Sequence, residues 1–284
     1  MKILATGDFH GEFPKKFKSL IKKEKIDLVI SNGDYFPFHY RDLWFKHCYQ
    51  KETELWEVIG KEKYKKLILK DLKDGESAIK KLNALPIPVF TVVGNIDYTR
   101  KSDVTDTKVN KKHYWAWNEQ DFFSPIIKKY PNIKRFDYSY LKFHDYIFIE
   151  AYGGSGPGKV KSKAYKKSKK ILDSFFNKFK NEKIIFVSHN VPYNTKLDKI
   201  GQKAHKKVKG KHYGSKLVKR VIEKYHPLIH IGGHIHEGRG LDKVGKTLCV
   251  NPGSAHDLQA AIISIPDKDK VKVKFIKYKT NHQE

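Results

Sequence analysis

Lys2-Ile3-Leu4-Ala5-Thr6-Gly7-Asp8-Phe9-His10 opens the chain, and this stretch decides the fold. An apolar run, Lys2–Thr6, enters Gly7 and then two polar side chains two positions apart. Such a pattern reads as a buried strand followed by a loop that carries an Asp and a His. The design recurs. Asp27–Ser31 runs into Gly33-Asp34, and Val89–Val93 runs into Gly94-Asn95. Between the first two runs, Phe13, Phe17, Leu20 and Ile21 fall on one helical face, which makes a βαβ unit with a right-handed crossover. Ahead of Val89, Ala78, Ile79 and Leu82 share a helical face as well. Ile184–Ser188 ends at His189, and Leu228–Gly232 ends at Gly233-His234-Ile235-His236.

Outside these five clusters, strands are expected at Tyr138–Leu141, Tyr146–Tyr152, Thr247–Asn251, Ala261–Pro266 and Val271–Ile276. The last two flank Asp267-Lys268-Asp269-Lys270, a hairpin connection. Amphipathic helices are expected at Asp121–Tyr130, Ser168–Phe179 and Lys216–Tyr225. The class is α/β, with a core that turns more antiparallel towards its C-terminal end. With no internal repeat and no linker, residues 1–284 are expected to form one domain. Two insertions, about 35–72 and about 101–135, interrupt it. The second carries Trp115, Trp117, Phe122 and Phe123. Such aromatic density reads as a packed cap, with a wall of the substrate pocket as the alternative.

An apolar fraction of 39% with 13% aromatic residues supplies a substantial core and argues against disorder. Cys48 and Cys249 lie far apart and match no zinc or redox spacing, which suggests a reducing setting. No signal-peptide pattern opens the chain, and no apolar run nears the length of a membrane span. A cytoplasmic protein with no membrane partner is therefore expected. Net charge is +27, yet only five of the 58 basic residues are arginine. Nucleic-acid readers lean on arginine for bidentate contacts. Lysine spread through nearly every segment is also what a thermophile surface or compositional bias produces. A nucleic-acid partner is thus an open alternative, not the favoured one.

Together the clusters offer Asp8, His10, Asp34, Asn95, His189, His234 and His236. This set of oxygen and imidazole donors suffices for two adjacent divalent cations. A carboxylate has two oxygens and can bridge two ions, and Asp34 is the natural bridge. Gly33 and Gly94 let the backbone approach closely. His234 and His236, separated by Ile235, can serve different ions. Donors of this kind, with no thiolate, favour manganese, iron, zinc, cobalt or nickel over copper(I), with manganese expected first. In open α/β sheets sites form at the carboxyl ends of strands, where all five clusters stand.

The ordered series D-x-H, G-D, G-N, H, G-H-x-H resembles the calcineurin-like metallophosphoesterase superfamily, from Asp8 to about Pro252. Gly233-His234-Ile235-His236 followed by Asn251-Pro252-Gly253-Ser254 is similar to its smaller prokaryotic and archaeal branch. The resemblance implies a four-layer αββα sandwich of two mixed β-sheets. It also implies that Asp8, His10 and His236 hold one metal, that Asn95, His189 and His234 hold the other, and that Asp34 is shared. The implied activity is hydrolysis of phosphate esters by hydroxide held between the metals. In that mechanism Asn95 and His189 orient as well as ligate, and the partner is a small phosphate-ester substrate. Where many members of the superfamily place a proton-donating His after Gly-Asn, this chain has Ile96. Loss of acid catalysis, typically worth about 10²–10⁴-fold, favours phosphodiesters over monoesters. His212 is a candidate for phosphate contact or proton donation, since Tyr213-Gly214-Ser215 after it caps a helix whose N-terminus favours anions. His39 is a second such candidate. Gly153-Gly154-Ser155-Gly156-Pro157-Gly158 lacks the Lys-Ser/Thr pair of a phosphate loop and reads as a flexible turn. The alternatives are a nuclease of the same superfamily and a non-catalytic scaffold.

Overall fold

The computed structural model describes residues 1–99, 113–152, 154–202, 204, 206, 208–266 and 271–278. Residues 101–112 of the second insertion, Gly153 of the glycine-rich run and the connection 267–270 lie outside them. Six strands, β1 (Lys2–Thr6), β2 (Leu28–Ser31), β3 (Val89–Thr91), β4 (Ile133–Arg135), β11 (Gln259–Ser264) and β12 (Lys272–Lys277), form one sheet in the order β12-β11-β1-β2-β3-β4. Within it β1 to β4 are parallel, while β11 and β12 are antiparallel additions at one edge. The second sheet comprises β5 (Tyr140–Phe143), β6 (Tyr146–Ala151), β7 (Lys183–Asn190), β8 (Ile229–Gly233), β9 (Gly240–Val244) and β10 (Thr247–Asn251). Its order is β5-β6-β7-β8-β10-β9, with antiparallel outer strands.

Alternation along each strand gives every sheet two apolar faces. Ile3, Ala5, Leu28, Ile30, Phe90 and Val92 point inward and meet Phe148, Ile185, Val187, Ile229, Ile231 and Val250 of the other sheet. The alternate residues, Leu4, Val29 and Val89 on one side and Ile147, Ile149 and Phe186 on the other, face helices. The first outer layer holds α1 (Phe17–Glu24), α2 (Arg41–His47), α3 (Leu55–Ile59), α4 (Lys61–Asn83) and α5 (Phe123–Ile127). The second holds α6 (Lys163–Lys178) and α7 (Lys216–Tyr225). The result is the expected sandwich of two mixed sheets between helical layers.

Several boundaries moved for physical reasons. The helix α6 begins at Lys163, ahead of the expected Ser168, because Ser162 caps it by accepting from Tyr165 N at 3.1 Å. Its lysine-rich first turn shows no apolar periodicity that would reveal it. Tyr138 and His144 sit at positive φ (44° and 49°), so β5 starts after Tyr138 and turns at His144. The strand β7 runs on to Asn190, placing His189 inside it. The strands β4 and β9 were not anticipated. One has three residues with a single buried side chain, and the other alternates exposed positions on an edge. The helix α4 crosses Leu72, the expected end of the first insertion, without a break. Trp115 stands 5.4 Å from Trp56 and 5.1 Å from Trp117 between ring centroids, so the two insertions pack on each other.

Candidate metal centre

In-register strand ends set the level of the ligand loops. Thr6 pairs with Ser31 and Ser31 with Thr91, so the loops after β1, β2 and β3 leave their sheet side by side. In the second sheet Asn190 pairs with Gly233, which brings His189 and His234 to the same end of the sheet, their ring nitrogens 3.2 Å apart. Beyond the strands the ladder continues. Asp8 N donates to Gly33 O at 2.8 Å, His10 N to Asp34 O at 3.1 Å, and Gly11 N to Tyr35 O at 2.8 Å. Asp34 and Asn95 are brought together through glycine. A Cβ on Gly33 would lie 2.3 Å from Gly94 N, and one on Gly94 would lie 2.0 Å from Asp34 Oδ1. Any side chain there would push the two loops apart.

Two clusters result: Asp8, His10 and His236 in one, and Asp34, His189 and His234 in the other. Within each, the ligand atoms lie within 4.8 Å of one another. Asn95 joins the second, with Oδ1 2.8 Å from His189 Nε2. Four of these residues, Asp8, His10, Asp34 and His234, hold positive φ of 53°, 46°, 56° and 71°. Left-handed backbone costs a non-glycine residue about 1–3 kcal/mol and concentrates where function demands it. Nothing in the sequence announces this strain.

The donor set fits divalent cations. His189 Nδ1 lies 2.7 Å from the carbonyl of Asn32, an acceptor, so that nitrogen carries the proton. Burial holds the ring neutral by lowering its pKa. Its Nε2 lone pair therefore faces Asn95 Oδ1 at 2.8 Å, His234 Nδ1 at 3.2 Å and Asp34 Oδ2 at 3.6 Å. Lone pairs aimed at one point want a cation between them. In the other cluster His10 Nε2 and His236 Nε2 approach to 3.3 Å, and His236 Nε2 lies 3.2 Å from Asp8 Oδ1. That Asp8 oxygen is buried and accepts no hydrogen bond among the described residues.

Burial presses the Asp8 carboxyl upward, but His236 with His189 and His10 draws it well below the carboxylate range. Burial and then the nearby Asp8 charge push Asp34 up to about 8. His236 moves to about 9, since attraction to Asp8 overcomes the burial that opposes it. Burial lowers His10 to about 4 and His234 to about 3. Without cations the centre thus keeps protons on Asp34 and His236.

Supporting groups came without a sequence signal, because every residue carries a carbonyl. Asn32 O orients His189, Phe36 O lies 3.4 Å from His10 Nδ1, and the backbone of Ser155 accepts from the His234 ring. The glycine-rich run therefore borders the site. Asp97 was visible beside Gly94-Asn95-Ile96, though its role was not. Its buried carboxylate accepts from Asp34 N at 2.9 Å, Tyr35 N at 2.7 Å and Gly94 N at 2.7 Å, clamping two ligand loops. Burial and then the Asp34 charge raise it to about 7. His212 gives Nδ1 to buried Asp198 at 2.7 Å, within a loop that the same carboxylate fastens through Asn194 N, Thr195 N and Gly214 N. No described contact joins His212 to the ligand cluster. His39 likewise gives Nδ1 to buried Asp71 at 2.5 Å, and Tyr98 OH donates to the second Asp71 oxygen at 2.9 Å.

Comparison with known proteins bears on the family and the fold. The family model described as calcineurin-like phosphoesterase matches residues 1–238. An uncharacterized protein of Methanocaldococcus jannaschii is 42% identical over 85 residues, which is 29% of this chain; the match spans 37% of that relative's length. One solved structure superposes with a TM-score of 0.69 at 20% identity, covering 98% of this chain and 99% of that one. The protein TT1561 of Thermus thermophilus follows with 0.55 at 16% identity, covering 96% and 97%. At these identities the two structures speak to the fold alone.

Proposed function

Because the chain belongs to the calcineurin-like phosphoesterase family, we propose that it is a metal-dependent phosphoesterase acting on small phosphate esters, phosphodiesters ahead of monoesters. The observation that carries this reading is the convergence of imidazole lone pairs and carboxylate oxygens in two adjoining clusters. Asp8, His10 and His236 would hold one cation, Asn95, His189 and His234 the second, and Asp34 both, with manganese the first choice. When bound, such a pair supplies Lewis acidity and makes hydroxide available near neutral pH.

The chain's own groups do the rest. Asn32 O and Phe36 O fix which nitrogens of His189 and His10 face inward. Ile96 N donates to Asp34 Oδ1 at 3.0 Å and holds that carboxylate in place. The Ile96 side chain has no proton to give a departing oxygen. An alkoxide leaving group must therefore find its proton elsewhere, and esters with acidic leaving groups react best. Replacing Asp34 by Asn should abolish metal-dependent hydrolysis of bis-p-nitrophenyl phosphate; full activity in that variant would refute the assignment.

A nuclease is the second reading, favoured by one surface of the cap. The Lys61 ammonium lies 5.2 Å from the Trp56 ring and 5.4 Å from Trp115, and Lys65 lies 5.7 Å from Trp115 and 5.8 Å from Trp117. Interleaved lysine and tryptophan suit a single strand's phosphates and bases.

A further inference from the structure

Resting on that reading of the centre, we propose that His256 contacts the substrate: its imidazole N–H donates to a phosphoryl oxygen of the ester and positions it. Placement is the first support. Ala255 N donates to Gly7 O at 2.8 Å, His256 N to Asp8 O at 3.2 Å, and Ser254 Oγ to Asp8 O at 2.9 Å. Three hydrogen bonds thus clip this turn onto the first ligand loop. Asn251 Nδ2 ties it to the other ligand loop by donating to Ile235 O at 2.7 Å. The turn is itself tight, with Asp257 N and Gln259 N both donating to Ser254 O and Leu258 held at a φ of 57°.

Availability is the second support. The His256 side chain is exposed, edge-on to the His10 ring with centroids 6.2 Å apart. Its ring nitrogens have no hydrogen-bond partner among the described residues. By contrast, His39, His113 and His212 each commit Nδ1 to a carboxylate, Asp71, Glu57 and Asp198 respectively. A neutral imidazole always carries one N–H, so His256 brings an uncommitted donor to the edge of the candidate centre. Asp257 beside it is exposed too, and its charge is felt at His236. A carboxylate at the mouth penalises a second negative charge on the ligand, so the donor suits the singly charged phosphodiester.

The test uses manganese-loaded wild-type protein with His256→Ala and His256→Gln. Calorimetric titration with inorganic phosphate is read beside kcat and KM for bis-p-nitrophenyl phosphate and beside metal content. His256→Ala should weaken phosphate binding about tenfold, as expected for a lost hydrogen bond to a charged group. KM should rise comparably with metal content unchanged, and His256→Gln, which keeps a donor, should recover most of the loss. The exposed side chain is not needed for folding, since the backbone N–H makes the contact with Asp8. Unaltered phosphate binding and KM in His256→Ala would overturn the proposal. So would loss of metal in both variants, which would mean that the residue merely props the His10 loop. A wild-type protein that takes up manganese yet neither binds phosphate nor turns over diester defeats the phosphoesterase reading itself; an active wild type with an indifferent His256→Ala defeats only this inference.

Discussion

Residue by residue, the centre shows how much chemistry hangs on side chains that never touch a substrate. Asp97 satisfies three backbone N–H groups from two loops. Replacing it by Ala strands those donors in the interior, at about 1–3 kcal/mol each. Asp97→Ala should lose at least ~3 kcal/mol in urea unfolding and fail to retain metal on gel filtration; an unshifted midpoint would remove the clamp from the account. The protons on Asp34 and His236, near 8 and 9, must leave before a cation is ligated. Both groups are protonated below these values, so protons compete with metal at low pH and affinity rises as pH climbs. Manganese affinity should increase about tenfold to a hundredfold per pH unit below pH 8. Calorimetry in buffers of different ionisation enthalpy should detect the released protons, and heats independent of buffer would contradict this. All seven proposed ligands stood in plain view in the sequence as Asp, Asn or His at or just beyond the ends of apolar runs. Their orienting carbonyls and left-handed backbones did not, because neither depends on a distinctive residue type.

At the scale of elements, long periodic segments announced themselves and short or edge ones did not. Thr247–Asn251 and Lys216–Tyr225 appear where their patterns put them. The strand β4 offers three residues and no alternation, so only its pairing with β3 makes it a strand. The outer helices of the second layer are joined by Asp173 on α6, which accepts from Lys169 at 2.7 Å and, across to α7, from Lys224 at 3.0 Å and Tyr225 OH at 2.6 Å. Burial opposes ionisation, but these donors bring the carboxyl down to about 2. A lowered acid pKa stabilises the fold above the unfolded value near 3.8, and that contribution fades as pH falls towards 2. Asp173→Asn should therefore cost ~1 kcal/mol at pH 7, with the difference from wild type narrowing below pH 4. A constant difference across that range would show that packing, not charge, joins the two helices.

Across the whole molecule, a net charge of +27 surrounds a centre built from two aspartates, an asparagine and four histidines. If the lysine excess is compositional, single-stranded DNA should bind at low salt, release by about 200 mM as counterions compete, and emerge uncut. Retention that survives higher salt, with cleavage, would promote the nuclease reading. All four tryptophans lie in the two insertions, so intrinsic fluorescence during that titration reports on the cap. No helix among the described residues is long and apolar enough to cross a membrane. Most strands along the chain, β4 and β9 excepted, their apolar runs and the polar residues that follow them were legible in the sequence alone, because burial periodicity and residue chemistry are local properties. Tertiary structure alone decided that the two sheets meet with their strand ends level, that Asp34 abuts Gly94 and that His256 is laid beside His10. Such juxtapositions depend on pairing register and close approach between segments up to about 250 positions apart, and short-range pattern holds no record of them.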